Sequence, residues 1–152
     1  MSDLALKLVD NCINIGLTSD GSQLERDDGL ETAVLISLFT DSRLSEAELP
    51  DGAISKRGWW GDSFLENEGD KIGSRLWAFL DRSKLDSATA AALQVRAKQS
   101  LEWMIEDGVA ETVTVESTRD SEGITLMVKI KRPNEKAPSV YSVFWDGQSI
   151  KR

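Results

Sequence analysis

The sequence predicts an α+β fold, with helices packed on a small antiparallel sheet and a loop-rich N-terminal half. Three observations predict it. Val113 and Val115 alternate with Thr112, Thr114 and Glu116. Beyond Asp120-Ser121-Glu122-Gly123, the residues Ile124, Leu126, Val128 and Ile130 alternate with Thr125, Met127, Lys129 and Lys131, as strands do when one face is buried and one is wet. Leu93, Ala97, Leu101, Met104 and Ile105 recur at helical intervals. Before Ser83, by contrast, Asp20-Gly21, Asp27-Asp28-Gly29, Asp51-Gly52, Arg57-Gly58 and Glu68-Gly69 punctuate the chain as turns.

Taken in order, Leu4, Leu6, Leu8 and Val9 suit a strand or a short helix, and Asn11 to Leu30 is loop-like in composition. Residues 1–30 are therefore expected to be flexible or to order only on assembly, and residues 31–152 to form a single α+β domain. The run Thr32 to Thr40 is apolar and rich in β-branched residues, which fits a strand or a short buried helix; periodicity does not choose between them. Asp41 to Pro50 reads as an exposed loop leading to Lys56-Arg57-Gly58-Trp59-Trp60-Gly61-Asp62. From Asp70 to Leu80, the spacing of Ile72, Leu76, Trp77 and Leu80 predicts a helix of about three turns. Asp86 or Ser87 can cap the main helix and Gly108 can stop it. After the hairpin and a connection from Pro133 to Pro138, Val140 to Trp145 supplies the third strand of a C-terminal meander, closed by Asp146-Gly147.

Composition narrows the function. A chain of 152 residues suits one core. No run of about 18 apolar residues exists, and the acidic start Met1-Ser2-Asp3 lacks a signal-like region, so a soluble chain made and used in a cytoplasm is expected, with no membrane partner. The net charge of -8 argues against nucleic acid, whose phosphates need lysine and arginine. The chain has no histidine, which removes Ser-His-Asp and Cys-His catalysis and the common zinc-enzyme ligand sets. Nor does it carry a GxxxxGK[ST] or GxGxxG loop. No cofactor, metal or catalytic residue is expected. Carboxylate pairs survive this filter with almost no specificity. Cys12, the single cysteine, excludes an internal disulfide and is expected as a small buried apolar residue.

The tryptophan motif stands out. Adjacent indoles between glycines carry roughly 150–250 Å² of surface each, too much to leave uncovered without purpose. Neighbours in an extended segment point to opposite sides, so one of Trp59 and Trp60 is expected inward and the other outward. Arg57 and Asp62 are expected to pair locally, the alternative being that Arg57 binds a partner carboxylate. On the predicted helix Trp77 belongs to the core, and Arg75 is available to a partner or to the loop. Trp103 lies at the boundary of the main apolar stripe, while Glu102, Glu106 and Asp107 make a solvated face. The candidate protein interface is Arg57, Trp59, Trp60, Asp62, Arg75 and Trp103.

These motifs carry a resemblance. The series of an apolar strand ending in Phe39-Thr40-Asp41, then Leu49-Pro50-Asp51-Gly52, Arg57 to Asp62, Gly73-Ser74-Arg75-Leu76-Trp77 and Arg82-Ser83-Lys84-Leu85 resembles the baseplate protein family of Mu-like phages, the family numbered forty-six in phage Mu. The match continues through Leu101 to Ala110 and ends at Trp145-Asp146-Gly147, covering about Glu31 to Gly147. The resemblance implies a structural subunit of a contractile-tail baseplate wedge, similar to the small wedge subunit of T4-like phages. It implies other wedge and hub proteins as partners, an oligomeric setting in the assembled baseplate, and residence in the virion tail after assembly in the host cytoplasm. It implies neither a cofactor nor a catalytic centre. The alternatives in that setting are a tail-associated glycan hydrolase using paired carboxylates and a tail assembly chaperone.

Overall fold

A computed structural model of the chain describes residues 3–9, 12–27, 29–49, 54–64, 71–80 and 84–151. Along it run β1 (Asp3–Leu4), β2 (Leu6–Val9), β3 (Cys12–Ile15), β4 (Arg26–Asp27), α1 (Glu31–Phe39), α2 (Trp77–Leu80), α3 (Ser87–Ser100), α4 (Trp103–Glu106), β5 (Thr112–Arg119), β6 (Ile124–Lys131), β7 (Ser139–Trp145) and β8 (Ile150–Lys151). Short 3-10 turns lie at Glu46–Glu48 and Trp60–Phe64. The class is α+β, as predicted.

The C-terminal sheet has the order β5-β6-β7-β8, and every neighbouring pair is antiparallel. Its register sets Val113 against Ile130, Val115 against Val128, and Leu126 against Val143, so one face carries the apolar residues, as the alternation predicts. The meander gains one strand beyond the three expected, because Ile150 pairs with Trp145 after the Asp146-Gly147 turn. Two residues are too few to announce a strand in sequence.

The α3 helix lies on this face. Asp86 caps it: the Thr89 amide donates to Asp86 Oδ1 at 2.7 Å. Leu93, Ala97, Leu101 and Met104 are sealed in the core, each leucine or methionine contributing roughly 1.5–3 kcal/mol through burial. The predicted helix is interrupted, however. It ends at Ser100, turns through Leu101-Glu102 and resumes as α4, and this rotates Ile105 out to solvent instead of into the stripe.

Hydrogen bonds from Thr89 and Ala88 hold the Asp86 carboxyl below its usual range, with Arg119 adding a smaller attraction. A depressed folded-state pKa contributes stability above the unfolded value of about 3.9, and that contribution is lost as pH falls through the folded value. Asp86→Ala is thus expected to lower the melting temperature by about 2–4 °C at neutral pH. The gap from the parent chain should narrow in thermal scans below about pH 4. A gap that widens in acid would refute the capping role.

The run from Thr32 resolves as helix, not as the strand that the motif series suggested. Thr32, Val34, Leu35, Ser37 and Leu38 are all buried. The helix is covered from two sides, so neither a period of two nor one of 3.6 shows in its apolar residues. Asp27 organises its start, accepting from the Gly29 amide at 2.8 Å and the Thr32 amide at 2.7 Å. The Thr32 hydroxyl donates to the Leu4 carbonyl at 2.8 Å and accepts from the Leu6 amide at 3.0 Å, stitching the N-terminal strands to α1. Those strands form a β2–β3 hairpin with Leu6 opposite Ile15 and Leu8 opposite Ile13. Cys12 lies on β3 and is exposed, contrary to the buried place expected for it; a hairpin of two four-residue strands has no interior of its own.

The three-turn helix expected from Asp70 shrinks to the single turn of α2. Gly73 has φ +104, which no helix accommodates, and Ser74 instead pairs in parallel with Asp41. The Ser74 amide donates to the Thr40 carbonyl and the Ser42 amide to the Ser74 carbonyl, both at 2.9 Å. The Ser74 hydroxyl also donates to the Leu38 carbonyl. Local spacing favoured a helix, and this long-range ladder overrode it. Asp70, the Pro50-Asp51-Gly52 and Arg82-Ser83 pieces of the motif series, and the Glu68-Gly69 turn lie outside the described residues.

Candidate protein interface

The loop from Ile54 to Phe64 is bonded to the rest of the chain at several points. The Leu44 amide donates to the Lys56 carbonyl at 3.2 Å, and Lys56 Nζ pairs with Glu46 at 2.6 Å. Arg57 sits at φ 42, an uncommon conformation for a residue with a side chain. Its guanidinium pairs with Asp41 at 3.0 Å and lies 4.7 Å from the centre of the Trp77 ring. Asp62 was the partner expected for Arg57. It instead accepts from the Ile72 amide at 3.3 Å, because the 3-10 turn carries its carboxylate toward the segment after Lys71.

On this framework the two indoles behave differently from the inward-and-outward expectation. Neither ring enters the core: Trp59 is 36% exposed and Trp60 74%. The reason is the 3-10 turn, which begins at Trp60 and removes the alternation of an extended segment. Trp59 folds over Gly61 so closely that a Cβ there would meet its ring at 2.2 Å. The rings of Trp59 and Trp60 stand 5.6 Å apart and tilted, and Phe64 meets Trp60 edge-on at 6.2 Å. Phe64, exposed at 78%, extends the patch. Sequence reasoning missed it. Phe64 could have been found from its spacing of four after Trp60, which places the two side chains together on a helical turn.

The other candidates stand apart from this cluster. Arg75 pairs with Glu48 of the Glu46–Glu48 turn, outside the tryptophan loop, and Glu48 also lies 3.8 Å from Arg96. Glu48 accepts from the Ser45 hydroxyl and amide as well, and these hydrogen bonds, ahead of the two arginines, hold its carboxyl below the ordinary range. Trp77 is half-buried instead of fully in the core, and its indole donates to the Ser42 carbonyl at 2.9 Å. Trp103 sits on α4 at the margin of the core, as expected, with its indole donating to the Ser37 hydroxyl at 3.0 Å. Glu102, Glu106 and Asp107 are exposed.

A family profile described as phage protein GP46 matches residues 30–137, most of the chain. The chain belongs to the phage protein GP46 family. Among its relatives is the baseplate protein gp46 of Escherichia phage Mu, 38% identical over 136 residues that span 88% of this chain and 90% of the relative. Another is the Mu-like prophage FluMu protein gp46 of Haemophilus influenzae, 37% identical over 127 residues and covering 84% of each chain. The GP46 match takes in α1, the tryptophan loop, α2 to α4 and the β5–β6 hairpin, and therefore all six candidate interface residues.

Proposed function

We propose that this GP46 chain is a structural subunit of a contractile phage or prophage tail baseplate, in its wedge, and acts by protein-protein contact and not by catalysis. The observation that carries the reading is the 38% identity to a baseplate protein across nearly the full length of both chains. The tryptophan loop supports it physically. Interfaces concentrate binding energy in aromatic residues, and a loop already tied by Lys56, Arg57 and Asp62 loses little freedom on docking. Trp60 and Phe64 are the apolar anchors in this scheme, with Trp59 as their backing.

The carboxyls with clearly altered acidity favour structure over chemistry. Among the described residues these are Asp20, Glu48 and Asp86, all shifted downward, Asp20 to about 2, by hydrogen bonds within turns and caps. A glycosidase general acid needs the opposite shift.

Mass spectrometry of purified tails is expected to find the chain at fixed stoichiometry with the other wedge and hub proteins, and a pull-down with the full chain to recover those proteins. Absence from finished tails would favour an assembly chaperone and defeat the proposal.

A further inference from the structure

A second surface lies away from the ion pairs that knit the rest of the chain. A groove of about 480 Å³ runs between α1 and α4, walled by Ile36 on one side and Trp103 on the other. The hydrogen bond to Ser37 pins the indole, and the ring still leaves 37% of Trp103 exposed. Among the described residues the groove carries Asp3, Glu106 and Asp107 against one cation, Lys71. Elsewhere Glu25, Glu46, Glu48, Glu111, Glu116 and Glu135 all have ion-pair partners. The carboxylates of Glu106 and Asp107 have none among the described residues.

We infer that this groove receives an arginine-bearing segment of another baseplate protein, an inference that rests on the structural role proposed above. The chemistry selects arginine. Its planar guanidinium stacks on an indole face while its N–H groups bind carboxylate oxygens, and its aliphatic stem or an adjacent apolar residue suits the Ile36 wall. The volume accommodates one long side chain and a flanking apolar group. The acidic rim repels an acidic segment, which sets selectivity.

The test uses the full chain and the peptide acetyl-Leu-Arg-Leu-amide, followed by NMR at the Trp103 indole N–H. Saturable shifts are expected with this peptide and not with acetyl-Leu-Glu-Leu-amide. The double variant Glu106→Gln/Asp107→Asn, both exposed positions whose neutralisation leaves the core intact, should weaken binding about fivefold. No saturable response, or an equal response to the glutamate peptide, overturns the inference. Concentration-dependent dimerisation abolished by the same variant would assign the groove to a second copy of this chain and overturn it as well. Tails of the double-variant phage should retain less of the chain than wild-type tails. If wild-type and variant chains enter tails equally, the groove assignment alone fails; if the wild-type chain is missing from tails, the structural role itself fails.

Discussion

Gly73→Ala is expected to cost about 3 kcal/mol or more, lowering the melting temperature by about 6–12 °C. Two penalties combine. At φ +104 a side chain is strained whatever surrounds it, and the added Cβ would lie 2.3 Å from the Thr40 carbonyl oxygen and 2.8 Å from its carbon. Those are backbone atoms, so no rotamer change relieves the contact. The Ser74–Thr40 and Ser42–Ser74 hydrogen bonds, which bind the segment before α2 to the end of α1, would have to lengthen or break. Gly21→Ala is the control: its φ is +70 but nothing lies within 4 Å of the new Cβ, so only the conformational cost remains, about 1 kcal/mol. Thermal unfolding followed by circular dichroism decides it, and equal losses from the two variants would remove the close approach at Gly73 as a structural determinant.

Trp60→Ala should instead leave the isolated chain nearly as stable as the parent while weakening assembly about thirtyfold or more. Trp60 is 74% exposed, and among the described residues its aromatic contacts are Trp59 and Phe64. Removing it forfeits aromatic contacts worth about 0.5–1.5 kcal/mol each when fully packed, and less at such exposure. A partner that closes over the patch would lose a central anchor. Trp59→Ala should move both quantities, because its ring also covers Gly61 and shapes the turn. The pair of measurements is the melting temperature of the isolated chain and its retention on baseplate partners. A Trp60→Ala chain that keeps full retention would take the loop out of the interface.

The parts of the fold legible in sequence are those fixed by neighbours close in the chain. Alternation from Thr112 to Lys131 set the hairpin and its buried face, and the Asp86 cap and Gly108 bounded the helical region. What eluded reading was settled by distant partners. Helix α1 is buried on two sides and so shows no face, and the segment before α2 is extended because Thr40 and Ser42 claim its backbone. The tryptophan loop was recognisable as a surface feature from its composition, but the pairing of Arg57 with Asp41 and the inclusion of Phe64 depend on how the chain folds back on itself.

Thr32 carries a broader consequence. One side-chain oxygen gives its proton to Leu4 and takes one from Leu6, so the entire β2–β3 hairpin takes its bearing from the first turn of α1. Anything fused to or removed from the front of this polypeptide is felt at the first turn of α1, through this oxygen and through Asp27 of β4, whose carboxylate holds the Thr32 amide.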